Sequence, residues 1–233
     1  PGLEIDLNGN GVIETGEREE PGYALADQIV YYVNHDLNPQ TTNALFGSPP
    51  IGLEIQNVIW VYDQPDETLG QMLFKQYTLI NKSGYLLDSM FIGQWSDPDV
   101  GQFTDDYVGV DSSRALGYAY SGFPNDNDFD AFNLPPAAAG YDYLQGPLIA
   151  GKPGEDRNRN GVDDALDYGV FNLQEVGPGK INLPLTSFVY RPPCFNCHPG
   201  PFGDYQLTEE LYNYLNGYRP ESFSIPPIPF LVG

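Results

Sequence analysis

The chain is poor in the residues that carry most redox, metal and acid–base chemistry. Its 233 residues include two Cys, two His, two Met and two Trp, and only ten Lys and Arg. Set against 32 Asp and Glu, that scarcity of base gives a formal net charge of -22 at pH 7. Phosphate recognition needs basic patches, so the composition excludes nucleic acid as a partner. It argues equally against an anionic membrane surface. Apolar runs are short, and none approaches the ~18 residues that would suggest a membrane span. Few hydrolase constellations can be assembled. A Ser-His-Asp triad would have to use His35, because the other histidine belongs to the motif described below. No Gly-rich phosphate loop with a Lys occurs, and carboxylates are too numerous for one glycosidase pair to stand out.

What the chain has in plenty is Tyr (17), Phe (13), Gly (26) and Pro (22). Many short strands joined by turns fit that mix better than helices do. Strand-like runs fall at 53–62, 71–80, 86–95, 107–110, 115–120, 141–150, 170–173 and 181–190. They predict a mainly β fold, an antiparallel β-sandwich, with one or two short helices. The spacing of Leu25, Ile29, Tyr32 and Val33 predicts a short helix over 24–33, and 39–52 reads as a loop. A second helix is predicted over Thr208 to Leu215, with Thr208 as its cap, Glu209 and Glu210 in its first turn and Gly217 after its end. Three segments follow: 1–51, with a cation loop and a short helix; 52–190, the sandwich; and 191–233, which ends in an apolar, proline-rich tail. At this length they are expected to form one compact unit.

Both cysteines and one histidine stand together in Cys194-Phe195-Asn196-Cys197-His198. C-x-x-C-H is the pattern of covalent c-type haem attachment. Cys194 and Cys197 would form the thioethers and His198 would be the proximal iron ligand. The competing reading is a Cys194–Cys197 disulfide or half of a metal site; zinc would need a fourth ligand. His35, Met72 and Met90 are the candidates for the sixth iron ligand. Both Met lie in runs that read as buried strands, where Met is core filler. Elimination therefore favours His35, from the same chain or a neighbouring one.

Residues 6–17 match an EF-hand calcium loop, with Asp6, Asn8 and Asn10 at positions 1, 3 and 5 and Gly11 at the turn. The Val12 carbonyl falls at position 7, Ile13 at the apolar position 8, and Glu17 at the bidentate position 12. Pro21-Gly22 follows too soon for a long exiting helix, which predicts an isolated loop. Residues 156–167 repeat the pattern with Asp163 at position 8, and resemble a thrombospondin type 3 repeat. Their ligands would be Asp156, Asn158, Asn160, Asp164 and Asp167 with the Val162 carbonyl. Two or more calcium ions would offset the self-repulsion of so acidic a chain. The clusters Asp97/Asp99/Asp105/Asp106 and Asp126/Asp128/Asp130 read either as further ion sites or as solvated turns.

Further resemblance runs from about residue 52 to 218. The stretches QWSDPDVGQFTDDYVGVD (94–111), LGYAY (116–120), YDYLQGPL (141–148), LPLTSFVY (183–190) and LYNYLNG (211–217) resemble a recurring region of large bacterial extracellular proteins. Those proteins usually end in a type IX secretion sorting domain. The C-x-x-C-H segment stands as an insertion in that pattern. The resemblance implies an exported, β-rich surface module at the cell exterior. No signal-peptide pattern is read within the chain, and an upstream segment is expected before Pro1. The uncharged tail Phe223 to Val232 is expected to dock on its own domain or a neighbour by strand addition. A homo-oligomer or filament built through terminal strands and tails is the expected assembly.

Together the motifs predict a secreted, calcium-stabilised protein with one covalent haem c that passes electrons to an unidentified redox partner. Two alternatives stand beside it: a haem-free structural or adhesive surface protein with a disulfide, and a peroxidase-like haem enzyme with an open distal position. A compact chain of this size is about 45 Å across. Haems in a simple end-to-end row would be far apart, and hopping would need them gathered at subunit interfaces.

Overall fold

The computed structural model describes residues 2–5, 18–21, 26–171, 174–189 and 208–218. The chain divides into two units, Pro1–Ser89 and Met90–Gly233. The mainly β expectation holds: the strands pair antiparallel in five small sheets.

In the first unit, β1 (Gly2–Ile5) pairs with β2 (Arg18–Pro21), placing Ile5 opposite Arg18. The central sheet has β4 (Leu53–Val61) between β3 (Gln28–His35) and β5 (Phe74–Asn81). The helix expected over 24–33 is therefore a strand. Ile29 to Val33 is an unbroken run of β-branched and aromatic residues, whose stiff side chains fit a pleated surface. Pairing with β4 decides the matter, placing Ile29 opposite Trp60 and His35 opposite Glu54. Trp60 stacks on Phe74 across β4 and β5 at 5.4 Å. Asn57, buried in mid-sheet, donates to Tyr32 O, Ile55 O and Asn34 Oδ1.

The loop expected over 39–52 holds a helix, α1 (Pro39–Phe46). Asn38 Oδ1 accepts from Gln40 N and Thr41 N at 3.1 Å. Pro39 opens the helix where its missing N–H costs nothing, and Gly47 closes it at φ 68°. Asp36 then clamps the chain after α1 onto the end of β3. Its carboxylate accepts from Ile51 N (2.6 Å), Gly52 N (3.1 Å) and Leu53 N (2.7 Å).

The second unit contains the sheet β6 (Asp106–Asp111), β7 (Leu116–Ser121) and β8 (Ala138–Asp142), with β7 central. A one-turn helix, α2 (Asn127–Asp130), precedes β8. Two short pairs follow: β9 (Leu148–Ala150) with β12 (Lys180–Asn182), and β10 (Gly169–Phe171) with β11 (Gln174–Val176). Asn182 ties them together, accepting from Val170 N at 2.6 Å and donating to Gly146 O and Val170 O. The run 141–150 is thus two strands, not one. Of the run at 181–190, residues 181–182 fall in β12 and 183–189 form no strand, nor does the run at 86–95. The predicted helix over Thr208 to Leu215 is present as α3 (Thr208–Leu215). Thr186 Oγ1 and Ser187 Oγ both donate to Leu215 O at 3.2 Å.

Among the described residues only Val100, Ala119, Ile181 and Tyr214 are buried apolar side chains. Ile181 is fully enclosed. Ile181→Ala is expected to cost about 2–5 kcal/mol, read as a lower urea midpoint for the second unit at unchanged slope. Among the described residues no helix is long and apolar enough to cross a membrane.

Candidate metal centres

The second cation loop, 156–167, lies wholly within the described residues, between β9 and β10. Its backbone turns on carboxylates and amides, as short polar side chains do when they capture nearby N–H groups. Asp156 Oδ1 accepts from Asn160 N and Asp156 Oδ2 from Gly161 N, both at 3.0 Å. Asn158 Oδ1 reaches the same Asn160 N at 3.4 Å. Asn160 Oδ1 accepts from Val162 N at 2.8 Å. Gly161 takes φ 85°, a backbone that a side chain would strain. Asp167 is the pivot: its Oδ2 accepts from Asn158 Nδ2 (2.6 Å) and Asn160 Nδ2 (2.7 Å), and its Oδ1 from Tyr168 N (2.7 Å).

Four of the six expected ligands, Asp156, Asn158, Asn160 and Asp167, are thus knit into one hydrogen-bonded group. Toward Asp167 the two amides present nitrogen, while their Oδ1 atoms accept from Asn160 N and Val162 N; a hard cation would need those oxygens turned to it, at the expense of both backbone bonds. Val162 lies in the same turn, its N–H bonded to Asn160 Oδ1. Asp164 differs. It is fully buried and faces Arg157, accepting from Arg157 Nε (2.6 Å), Arg157 N (2.9 Å) and Lys152 N (3.3 Å). Arg157 Nη2 donates onward to Ala150 O, anchoring the loop to β9. Asp163 binds Gly154 N and Ala165 N. Among the described residues no three Asp, Glu, His or Cys side chains gather tightly enough to grip an ion; the set expected at 156–167 includes two amides and a carbonyl besides its carboxylates.

The first loop, with Asp6, Asn8, Asn10, Val12 and Glu17, lies outside the described residues. Its frame does not. The β1–β2 ladder closes the twelve-residue connection, and β2 begins directly after Glu17. A strand, not an exiting helix, leaves the loop, as the isolated-loop expectation requires. Cys194, Cys197 and His198 also lie outside the described residues.

His35 is the last residue of β3 and is exposed. Its Nδ1 accepts from Leu37 N at 3.3 Å, which leaves Nε2 as the nitrogen for a metal. Met72 and Met90 lie in no strand and are both exposed. The elimination that set them aside as core filler therefore loses its basis.

The weaker acidic clusters organise turns. Asp126, almost wholly buried, caps α2 through Asp128 N and Phe129 N and holds the preceding loop through Gln102 N. Asp106 Oδ2 accepts from Val100 N at 2.9 Å. Asp105 Oδ1 and Asp106 Oδ1 are buried without a partner, the least satisfied side-chain atoms among the described residues.

These networks depress carboxylate pKa values. At Asp36 burial pushes upward, but the amides of Ile51, Leu53 and Gly52 outweigh it. At Asp164 burial is again outweighed, by the Arg157 side chain and by the Arg157 and Lys152 amides. At Asp167 the Asn158 amide leads, followed by Tyr168 N. In the unfolded chain these groups titrate near about 3.9, so as pH falls the unfolded chain takes up protons first. The stability they contribute is complete above that value and drains away as pH drops from about 5 through their lower folded values. Urea midpoints in about 1 M salt, where Debye screening of ~3 Å mutes the general acidity, are expected to fall on acidification below about pH 5. Asp36→Asn should flatten that fall, and an equal slope in the variant would refute the assignment.

Comparison with protein-family profiles, with curated proteins and with solved structures finds no match.

Proposed function

We propose that this chain is an exported, calcium-stabilised monohaem c-type cytochrome that transfers electrons at the cell exterior as the subunit of an extracellular assembly. One observation carries the reading: both cysteines of the chain fall in a single C-x-x-C-H. Cys194 and Cys197 would hold the haem covalently and His198 would be its proximal ligand. The haem would supply a one-electron couple, and the protein would set its potential through the axial ligands and the burial around them. Two calcium ions, at 6–17 and 156–167, would pin the loops. The knitting of Asp156, Asn158, Asn160 and Asp167 supports the second of these.

His35 is the preferred sixth ligand, in cis or from a neighbouring subunit, as the one imidazole outside C-x-x-C-H, with an Nδ1 acceptor bond that leaves Nε2 for the iron. The purified protein is expected to show haem absorption bands and a low-spin, bis-imidazole iron. His35→Ala should give a high-spin or water-bound iron that takes up carbon monoxide or cyanide. If His35 comes from a neighbour, the same change should also weaken assembly. A spectrum unaltered by His35→Ala moves the ligand to Met72, Met90 or an open site, the last of which would suit peroxidase-like chemistry.

The second reading is a haem-free structural or adhesive protein with a Cys194–Cys197 disulfide. The scarcity of buried apolar side chains among the described residues favours it as far as assembly goes, since so much exposed apolar surface suits a subunit packed among others. Absence of any haem band from protein made in a host that matures c-type cytochromes would select it.

A further inference from the structure

The sheet β6–β7–β8 has one covered and one open face. On the covered side Ala119 is buried, and a Cβ on Gly117 would meet the Phe188 ring at 2.6 Å. The open side of an antiparallel sheet is ordinarily polar. Here it carries three tyrosines, Tyr107, Tyr118 and Tyr120, which stay 58%, 36% and 43% exposed. The residues in register beside them are small: Gly109 and Gly140 flank Tyr118, and Ala138 stands next to Tyr120.

The small neighbours let the rings lie down. A Cβ on Gly109 would fall 2.5 Å from Tyr118 Cζ and its hydroxyl, so that ring lies across the Gly109 backbone. The Tyr107 ring lies in the same way against Gly122. Tyr107 and Tyr120 stack with centroids 6.0 Å apart and planes 29° apart, and Tyr118 sits 5.9 Å from Tyr120. An aromatic laid over a strand glycine stabilises a sheet on its own account, which explains Tyr118 over Gly109. It does not explain why three adjoining rings are left facing solvent.

We propose that this face binds a neutral polysaccharide chain, stacking its sugar rings on Tyr107, Tyr118 and Tyr120. A π face is negative and attracts the polarised C–H groups that line one side of a pyranose, while phenol hydroxyls exchange hydrogen bonds with its hydroxyls. Charge selects the occupant. At -22, the chain repels polyanions. Of the two carboxylates that the strands place on this face, Asp111 is taken by Arg114 Nη1 and Ser113 Oγ, both at 2.6 Å, so a basic peptide would find only Asp142. Asp142, in register with Leu116 at the end of the face, offers an acceptor for sugar hydroxyls. The proposal stands apart from the haem reading, since no residue of the platform belongs to either metal centre.

The whole protein, with calcium, is to be run in native gels containing hydroxyethyl cellulose, xylan or a mixed-linkage β-glucan, and pelleted with insoluble cellulose and chitin. Retardation or pelleting is expected with at least one. The double variant Tyr118→Ala/Tyr120→Ala should bind at least about tenfold more weakly, from the loss of two stacking contacts. Tyr118→Phe/Tyr120→Phe keeps the rings and the fold and should retain most binding. Tyr85→Ala, at an exposed tyrosine of the first unit, should change nothing. Failure of every neutral polysaccharide to bind overturns the proposal, as does binding undiminished in a double Ala variant with unchanged circular dichroism. Platform-dependent binding of a polylysine peptide without any glycan binding overturns it too.

Discussion

Replacing Cys194 and Cys197 by Ala together is expected to strip the protein of haem entirely. The wild-type chain, denatured and weighed, should carry a haem-sized adduct, because thioether bonds survive denaturation. The double variant should show the bare polypeptide mass. Each single variant should keep at most a strained single attachment with much reduced yield. His198→Ala should spare the thiols but remove the iron's proximal ligand and with it the low-spin spectrum. The effect is all-or-none because the chain has no third cysteine to substitute. Recovery of wild-type protein two hydrogens light, with a Cys194–Cys197 disulfide and no adduct, would end the cytochrome reading and leave the structural one.

Calcium removal should have the next largest effect, and it should act twice. The two loops belong to different units, 6–17 to Pro1–Ser89 and 156–167 to Met90–Gly233. A ligand that binds only the folded form adds about 2.7 kcal/mol at a hundredfold excess over its Kd. At roughly 4–8 °C per kcal/mol for the small first unit that is about 11–22 °C in Tm, and at roughly 2–4 °C per kcal/mol for the larger second unit about 5–11 °C. Chelation is therefore expected to lower both melting transitions and expose both loops to protease. Glu17→Gln should lower only the first and Asp167→Asn only the second. Glu14→Gln should do less than Glu17→Gln, since position 12 is the bidentate ligand. Melting unchanged in excess chelator, with no metal by elemental analysis, would refute both sites.

The sequence carried the parts of the fold that depend on local pattern. The alternation Leu116-Tyr118-Tyr120 against Gly117-Ala119 marks β7, and the end signals Thr208, Glu209, Glu210 and Gly217 mark α3. It misled where a partner strand decides. Leu25, Ile29, Tyr32 and Val33 fit a helical spacing, but the β-branched run Ile29 to Val33 finds β4 and pairs with it. The runs 86–95 and 183–189 look equally strand-like and find no partner. Pro184 removes one ladder donor outright. The signals for α1 were present, in Asn38 as cap, Pro39 at the first position and Gly47 after the end, but Pro, Thr and Asn also spell a loop. At 156–167 the positional pattern located Asp156, Asn158, Asn160 and Asp167 together. It could not anticipate Asp164, because a loop motif assigns carboxylates by number and ignores the guanidinium at Arg157. The tyrosine platform needed register and ring orientation, which no one-dimensional pattern supplies.

The Arg157–Asp164 pair has a consequence for how the two loops would share a falling supply of calcium. The loop 6–17 has three acids, Asp6, Glu14 and Glu17, and no base. The loop 156–167 has four acids but two arginines, and one of these holds Asp164. Calcium affinity in such loops follows ligand charge, spanning roughly nanomolar buffers to millimolar extracellular modules. With Asp164 held by Arg157, each loop keeps two carboxylate ligands, and the two arginines inside 156–167 would make it the weaker of the two. On dilution it would empty first, loosening the span between β9 and β10 while the first unit keeps its ion. The two units would then loosen in a fixed order as calcium falls, the second before the first.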